Sequence, residues 1–333
     1  MNIEEFTEEQ LAGQRLMVGF DGTELNDDLI HLVDTVLVGG IILFSRNISS
    51  PDQVKTLCES LQKYASSSGQ PPLFVAIDQE GGEVSRLKKP FTQFPGNPAM
   101  KGEEDAEYFA EITGIELAKI GVNMNMAPVL DIACKGSIMA ERSFGHDSAR
   151  VSGLGLKVIE HLQKKGIMAV AKHFPGIGKT TLDSHLDIPF LDITMANLAE
   201  VDLLPFKAAI ARDVSGIMLS HVLYRQIDSQ WPASLSPCFT QKILRDEMKF
   251  EGIVITDDLD MGAIKKHHEI KTVIRQIIAS DIDIALICHK GADIKKAFDE
   301  ILNHVKMLGR KKMEASVKRI IKYKKKYIKT GCL

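Results

Sequence analysis

The sequence predicts a single (β/α)8 barrel, and three observations support this fold class. Short apolar runs rich in β-forming residues alternate eight times with helical patterns along the 333 residues. The runs are almost continuously apolar, as expected of parallel strands that are buried on both faces. Ionisable or polar side chains follow nearly every run, at the strand ends where this architecture gathers a functional site.

The predicted strands and helices follow one another in regular order. The strands lie near residues 16–20, 40–44, 73–77, 122–127, 167–171, 216–220, 253–256 and 282–287. The helices lie at residues 28–36, 51–65, 104–119, 149–164, 195–211, 240–248, 264–279 and 294–305. Ser50 and Pro51 suit the N-cap and first position of one helix. Thr7 and Gln10 have the spacing of a capping box, which predicts a short helix ahead of the first strand.

The segment at residues 310–329 is strongly basic and carries apolar residues at roughly helical spacing, among them Met313, Val317, Ile320 and Ile321. We interpret it as a C-terminal basic helix that packs its apolar stripe on the barrel and leaves its lysines in solvent. Nucleic-acid binding is the alternative. The net charge of −3 gives no general reason to expect a nucleic acid or an anionic membrane as partner.

Composition favours one domain that spans residues 1–333, because 44% of the residues are hydrophobic and no proline-rich linker divides the chain. No apolar run approaches a membrane span, and the acidic first nine residues lack the apolar core of a signal peptide. The cysteines are scattered and odd in number, which fits reduced thiols in the cytoplasm and neither disulfides nor a zinc site. They are Cys58, Cys134, Cys238, Cys288 and Cys332.

One motif suggests a phosphate-binding loop and fails on inspection. Gly178-Lys179-Thr180 follows a predicted strand, but that loop requires a glycine five residues before Gly178, where this chain has His173. The residues after Thr180 read as irregular chain rather than as a helix. No G-x-G-x-x-G turn follows the first strand either, so a nucleotide cofactor is not expected.

Asp257 and Asp258 end the seventh predicted strand. Adjacent strand residues point to opposite faces, so one carboxylate can enter the barrel mouth while the other faces the helix layer. The periodicity leaves the choice between them open, because both faces of this strand are apolar. The structural alternative is a helix N-cap, and we expect that role for Asp258.

Residues 172–185 combine several ionisable groups on one loop. Asp183 and His185 are two apart, so in extended chain their side chains share a face and the carboxylate can orient the imidazole. A simple loop hydrogen bond is the alternative. Lys172 and His173 close the preceding strand and suit either ligand binding or a salt bridge. Gly176 and Gly178 could let the loop move.

Two further strand ends carry groups that can bind a polar ligand. Asp78 begins a turn with the paired glycines Gly81 and Gly82, which permit a tight backbone, and Arg86 follows. Asp78 and Arg86 together suit hydroxyl groups of a ligand. Arg142, after the fourth strand, supplies another cation.

Six motifs in order together resemble the bacterial β-N-acetylglucosaminidases of glycoside hydrolase family 3. The resemblance runs from about Leu11 to the segment around Ile320. The motifs are residues 77–82 (IDQEGG), 125–131 (NMAPVLD), 142–145 (RSFG), 172–176 (KHFPG), 183–185 (DSH) and 256–261 (TDDLDM).

The resemblance implies a retaining exo-glycosidase that removes a terminal β-linked N-acetylglucosamine. Asp257 would be the nucleophile, and His185, oriented by Asp183, would act first as general acid and then as base. The sugar ring would be bound by Asp78, Arg86, Arg142, Lys172 and His173. No metal or organic cofactor is implied, the partner is a carbohydrate, and the signal-less single domain suggests cytoplasmic recycling of peptidoglycan fragments.

One residue departs from the family pattern. The family usually has Pro-Gly-His-Gly where this chain has isoleucine at position 177, which we interpret as altered loop packing or specificity. Three alternatives stay open: a phosphorylase, in which phosphate replaces water, a β-glucosidase of the same family, and a sugar-binding barrel without catalysis. A histidine acid/base would repel phosphate less than a carboxylate would. The natural aglycone and the oligomeric state also stay open.

Overall fold

Eight parallel strands close into a barrel in the computed structural model of the chain, which describes residues 2–328. The described residues form twelve strands in all: β1 (Leu16–Val18), β2 (Gly40–Leu43), β3 (Phe74–Ile77), β4 (Gln79–Gly81), β5 (Val84–Ser85), β6 (Met124–Asn125), β7 (Met168–Phe174), β8 (Phe190–Leu191), β9 (Gly216–Leu219), β10 (Leu223–Tyr224), β11 (Ile253–Asp258) and β12 (Ile284–Ile287). Four of them lie outside the barrel, where β4 pairs with β5 and β8 pairs with β10. Around the barrel the order is β1-β12-β11-β9-β7-β6-β3-β2. The predicted (β/α)8 fold is therefore confirmed.

The helices surround the barrel and connect its strands. The α-helices are α1 (Glu8–Gly13), α2 (Asp27–His31), α3 (Pro51–Ser67), α4 (Glu103–Lys119), α5 (Ser148–Lys164), α6 (Met195–Asn197), α7 (Leu204–Ala211), α8 (Gly262–Lys265), α9 (Ile270–Ala279), α10 (Ala292–Leu308) and α11 (Arg310–Tyr327). Segments with π-helical hydrogen bonding span Leu32–Val36, Leu198–Asp202 and Cys238–Glu247. The capping box predicted at Thr7 and Gln10 is present at the start of α1.

Each predicted strand overlaps a barrel strand, with differences at the ends. The largest concerns β7, which continues through Lys172 and His173 to Phe174 because the backbone of Lys172 pairs with the segment after β6. Both side chains therefore lie within a strand and not just beyond it. The helix predicted at residues 264–279 is interrupted and forms α8 and α9.

Two apolar layers hold the barrel. The inner layer fills the barrel and is rich in methionine, including Met17, Met124 and Met168, whose flexible side chains fill an irregular interior. The outer layer lies between strands and helices. The alternation along β2 shows how both arise, since Ile42 belongs to the inner cluster while Ile41 and Leu43 belong to the outer one.

Helix α11 closes the barrel at the amino ends of the strands. Ile320, Tyr323 and Tyr327 pack in the inner apolar cluster. Arg319 binds the buried carboxylate of Asp283 at 2.8 Å, just before β12. The prediction of a terminal helix packed on the barrel is confirmed as far as residue 328. The remainder of the basic segment, and Cys332, lie outside the described residues.

One lysine of this helix departs from the prediction. Lys324 is buried, and its Nζ donates a hydrogen bond to Gln14 Oε1 at 2.6 Å. Burial lowers the pKa of Lys324 well below that of a free lysine, because the charged form is poorly solvated there. The sequence pattern could not separate this lysine from its exposed neighbours, since the turn that meets the barrel depends on how the helix is seated.

Within residues 2–328, no helix is both long and apolar enough to cross a membrane.

The buried lysine predicts a pH-dependent stability. Between the lowered pKa in the folded chain and about 10.5 in the unfolded chain, the unfolded state binds one more proton, so stability rises with pH by up to about 1.4 kcal/mol per pH unit. Lys324→Met removes this dependence. Urea unfolding at pH 7, 8 and 9 should show the parent gaining stability relative to the variant. Parallel pH curves would show that Lys324 is charged in the folded protein.

Candidate active site

A cavity of about 310 Å³ opens at the carboxyl ends of the barrel strands. The eight residues that the sequence singled out all line it: Asp78, Arg86, Arg142, Lys172, His173, Asp183, His185 and Asp257. Apolar side chains complete the wall, among them Ile138, Met139 and Ile177. The cavity therefore combines many charged groups with an apolar face, as binding sites for polar organic molecules do.

A network of buried charges forms one side of the cavity. The ammonium group of Lys172 lies 2.7 Å from Asp78 Oδ1 and 2.7 Å from Glu80 Oε1. Arg142 binds Glu80 with two N–H groups, at 2.7 and 3.0 Å, and Arg86 reaches Asp78 Oδ2 at 3.3 Å. Sequence reasoning placed four of these residues in the site and missed Glu80, whose carboxylate joins Lys172 to Arg142.

Electrostatics keeps these carboxylates ionised. Burial raises the pKa of Asp78, but Lys172 and then Arg86 outweigh it and lower that pKa to about 2. The pKa of Glu80 is also lowered, because Lys172 and Arg142 outweigh its burial. In return, Glu80 raises the pKa of Arg142 despite burial. The network therefore carries fixed charges at every ordinary pH.

The hairpin formed by β4 and β5 places the side chain of Arg86 next to that of Asp78. Gln79 accepts hydrogen bonds from the backbone N–H groups of Arg86 and Leu87 at 2.9 and 3.0 Å. Gly81 and Gly82 have φ values of +88° and +60°, in the left-handed region that favours glycine. The tight backbone predicted for the paired glycines is thus present, and it positions the guanidinium group over the cavity.

The two adjacent aspartates at the end of β11 differ in their environment. Asp257 accepts a hydrogen bond from the N–H of Asp258 at 2.8 Å. Burial raises the pKa of Asp257, but His173 and His221 outweigh it and lower that pKa, so the carboxylate is ionised. Asp258 Oδ1 accepts hydrogen bonds from the N–H groups of Asp260 and Cys288, both at 3.0 Å. Burial raises the pKa of Asp258 to about 6.

Two expectations for Asp258 were wrong. It does not cap a helix, because the chain makes a further turn and the N-cap of α8 is Met261. It also does not face the helix layer, since both aspartates line the cavity. The pairing of β11 with β12 shifts register between Ile255 and Asp258, and this bulge breaks the alternation on which the expectation depended.

Asp183 and His185 form a hydrogen-bonded pair at the cavity mouth. His185 Nδ1 donates to Asp183 Oδ1 at 2.7 Å, and the backbone N–H of His185 donates to the same oxygen at 2.9 Å. The imidazole side chain is 69% exposed. Because Nδ1 is engaged, Nε2 is the ring nitrogen that can exchange a proton with a ligand.

The loop that carries this pair is docked on α8. The N–H of Ala263 donates to the carbonyl of Ser184 at 3.0 Å, and Lys266 Nζ donates to the carbonyl of Leu186 at 2.7 Å. A side chain at Gly262 would meet the carbonyl of His185 at 2.5 Å, so the approach requires glycine. Since α8 follows β11, the loop is held by the element next to Asp257.

The start of the loop is closely packed. A Cβ on Gly178 would lie 2.0 Å from the carbonyl oxygen of Ile132, and Ile177 is buried. The two glycines therefore permit close packing at the root of the loop, which differs from the free hinge we expected there. Exposed residues begin further on, at Lys179.

One more carboxylate, Asp131, and one more histidine, His221, lie beside the cavity and contact its residues, although sequence reasoning gave them no role. Asp131 accepts hydrogen bonds from the N–H and Nδ1–H of His173, at 3.2 and 2.7 Å. His221 Nε2 lies 2.9 Å from the carbonyl oxygen of Asp258, and burial lowers the pKa of His221. Both residues follow predicted strands, and that position was the available signal.

Comparisons with known proteins agree with the geometry. Residues 7–323 match the glycosyl hydrolase family 3 N-terminal domain. The chain is 35% identical over 284 residues to a β-hexosaminidase of Thiobacillus denitrificans, which covers 82% of this chain and 78% of that protein. It is 34% identical over 287 residues to a β-hexosaminidase of Pseudomonas aeruginosa, with 85% and 84% coverage.

Solved structures show the same likeness. A family 3 β-N-acetylglucosaminidase from Paenibacillus sp. FPU-7 superimposes with a TM-score of 0.94 at 37% identity. It covers 97% of this chain, which in turn spans 63% of that protein. NagZ from Neisseria gonorrhoeae in complex with N-trifluoroacetyl-D-glucosamine superimposes with a TM-score of 0.77 at 26% identity, covering 93% of this chain and 97% of that one.

The raised pKa of Asp258 predicts the stability of a variant. Between pH 3.8 and about 6 the folded chain binds one more proton than the unfolded chain, so stability falls as pH rises. The Asp258→Asn variant keeps an oxygen that accepts hydrogen bonds, but its side chain does not titrate, so its stability does not fall with pH for this reason. From pH 3.5 to pH 7.5, the variant should gain up to about 3 kcal/mol relative to the parent, the free energy that corresponds to this pKa change. Denaturant unfolding at both pH values measures it, and a constant difference would contradict the assignment.

Proposed function

The chain belongs to glycosyl hydrolase family 3, and on that premise we propose which residues perform its reaction. The chain is a retaining β-N-acetylglucosaminidase, and Asp257 is its nucleophile with the Asp183–His185 pair as its acid and base. The observation that carries this assignment is the shared cavity, which brings an ionised carboxylate and an oriented imidazole to one ligand. Ordinary retaining glycosidases use two carboxylates for these roles.

In the first step, Asp257 attacks the anomeric carbon of the sugar. The lowered pKa of Asp257 keeps the attacking oxygen ionised. His185 Nε2 donates its proton to the glycosidic oxygen as the bond breaks, and the aglycone leaves as an alcohol. The product is a glycosyl-enzyme ester on Asp257 and a neutral imidazole whose Nδ1–H remains bonded to Asp183.

In the second step, the neutral His185 removes a proton from water, and the hydroxide oxygen attacks the anomeric carbon. The ester bond to Asp257 breaks, so the carboxylate and the protonated imidazole are restored. Two displacements on opposite faces give net retention of the β configuration. An imidazole suits both roles because it changes protonation near neutral pH.

The buried charge network is proposed to bind the N-acetylglucosamine ring. Asp78 accepts hydrogen bonds from hydroxyl groups, while Arg86, Arg142 and Lys172 donate to them, and His173 contributes its free Nε2. These side chains hold one another in place before the ligand arrives. The entropy cost of ordering them on binding is therefore small. The partner is thus a carbohydrate that presents a terminal ring.

The natural substrate is proposed to be an N-acetylglucosamine-containing peptidoglycan fragment, and the location the cytoplasm. The likeness to NagZ with bound N-trifluoroacetyl-D-glucosamine supports an N-acylated glucosamine ring in the substrate. Phosphate as acceptor is the second candidate, because the imidazole acid/base would repel phosphate less than a carboxylate would. Incubation in phosphate buffer decides between them: free N-acetylglucosamine indicates hydrolysis, and the sugar 1-phosphate indicates phosphorolysis.

Asp257→Ala should remove nearly all turnover and leave the fold intact. Loss of a covalent catalyst raises the barrier by several kcal/mol, which corresponds to at least a thousandfold fall in kcat. The matched control is Asp258→Asn. The side chain of Asp258 is adjacent to that of Asp257 in sequence and has a structural role, because it accepts backbone hydrogen bonds. An Asp257→Ala variant within tenfold of the parent, beside an inactive Asp258→Asn variant, would assign the nucleophile to the other aspartate.

His185→Ala should affect substrates with poor leaving groups most. A nitrophenolate leaves without protonation, whereas a sugar alcohol requires the acid. With a nitrophenyl substrate, the variant should form the glycosyl-enzyme quickly and break it down slowly, so the adduct on Asp257 accumulates. Mass spectrometry of the digested protein detects that adduct. Equal rate losses for both leaving groups would exclude His185 as the acid.

The ring-binding network predicts selectivity for the acetamido sugar. A site built around particular hydrogen bonds rejects analogues that leave its partners unpaired, often by factors above a hundred. We expect kcat/KM for the aryl β-N-acetylglucosaminide to exceed that for the matching β-glucoside by at least this factor, with release only from the non-reducing end. Equal rates would assign the chain to the β-glucosidase branch of the family.

A further inference from the structure

Asp131 is a fully buried carboxylate beside the cavity that the reaction scheme does not use. Its side chain has no exposed surface and is not part of the cavity wall. It follows the segment after β6, opposite the backbone of β7. A charge in this position is expensive unless hydrogen bonds compensate it, so its partners indicate what it does.

The two oxygens of Asp131 have different partners. Oδ2 lies 2.7 Å from His173 Nδ1 and 3.2 Å from the backbone N–H of the same residue. Oδ1 accepts the backbone N–H of Ile177 at 2.8 Å. One carboxylate therefore joins a ring-binding histidine to the root of the loop that leads to Asp183 and His185.

The first bond determines the proton arrangement of His173. Asp131 Oδ2 also accepts the backbone N–H of His173, and an acceptor oxygen facing Nδ1 requires the proton on that nitrogen. Nε2 is then the nitrogen left to meet a ligand in the cavity, and the ring plane is fixed. Removal of a carboxylate that orients a metal-binding histidine in this way typically costs about 10- to 100-fold in affinity or activity, and we expect a loss in the same range here.

The second bond fixes the loop where it leaves the barrel. Ile177 is buried, its side chain lines the cavity, and its N–H is directed at Asp131. The next residues continue to the exposed Asp183–His185 pair. A shift of the peptide at Ile177 would therefore be passed along the loop to His185.

We propose that Asp131 is a positioning residue that couples ring binding by His173 to the placement of the His185 loop. This inference rests on the proposed function, which assigns those roles to His173 and His185. Asp131 touches neither the sugar nor the reacting atoms and acts through its three hydrogen bonds. An asparagine cannot replace it, because an amide has only one oxygen to accept these hydrogen bonds and offers N–H groups where an acceptor is required.

The test is a pair of double-mutant cycles with a β-N-acetylglucosaminide whose leaving group is a sugar alcohol, because kcat/KM for such a substrate depends on the acid. Asp131→Asn should lower kcat/KM by about 10- to 100-fold in the parent. In the His173→Ala and His185→Ala backgrounds the same substitution should cost at least threefold less, because part of what it disturbs is already absent. Equal losses in the parent and in either background would overturn the coupling.

Asp228→Asn is the matched control. Asp228 also accepts three hydrogen bonds, from the N–H groups of Gln230 and Trp231 and from the hydroxyl of Ser236, and it does not line the cavity. Its substitution should leave kcat/KM within threefold of the parent. A loss equal to that of Asp131→Asn would reduce Asp131 to a general structural role and overturn the proposal.

A measurement on the parent protein keeps the proposal testable if Asp131→Asn does not fold. Nitrogen NMR of histidine-labelled protein, with His173→Gln to assign the signal, should show His173 protonated at Nδ1. A ring protonated at Nε2 alone would overturn the proposal. A parent that releases no N-acetylglucosamine would instead refute the proposed function, while the NMR result would still report on the bond to Asp131.

Discussion

The buried ammonium group of Lys172 is the interaction on which the site depends. It binds two carboxylates, that of Asp78 directly after β3 and that of Glu80 on β4, while it stands on β7 on the other side of β6. Removing one partner from such a buried cluster leaves an uncompensated charge, which typically costs about 3–5 kcal/mol. The cluster therefore binds adjacent parts of the barrel together at the point where a ligand enters, and Arg142 extends it to the next connection.

Much of this arrangement follows from the sequence, because parallel strands bring their carboxyl ends to one edge. Asp78, Lys172 and Asp257 could be placed together from their positions after apolar runs alone. The contributions of Glu80 and Asp131 could not, since they depend on which partner each carboxylate meets across the barrel. Likewise, the bulge before Asp258 arises from pairing with β12, and the burial of Lys324 arises from how α11 is seated. The pattern of apolar residues within one segment predicts neither the bulge nor the buried lysine, because both depend on a second segment.

The two ends of the barrel handle buried charge in opposite ways. At the carboxyl ends, cations and carboxylates are paired and both remain ionised, which suits the binding of a neutral sugar through charged hydrogen bonds. At the amino ends, Lys324 has an amide oxygen as its partner, and burial favours its neutral form. Asp283 there is compensated by Arg245 and Arg319, which ties α11 to the barrel wall. The ions at the amino ends therefore support the barrel, whereas those at the carboxyl ends support both the barrel and the site.

The exposure of His185 has a consequence for how the imidazole reaches the protonation state that the first chemical step requires. The attacking carboxylate is held inside the barrel, but the imidazole that handles protons lies at the surface, with most of its side chain in contact with solvent. Its proton can therefore be exchanged directly with bulk water and with dissolved buffer, without a chain of internal donors. The proton donor and the attacking carboxylate are thus separated in space, and dissolved buffer can reach the imidazole without entering the barrel.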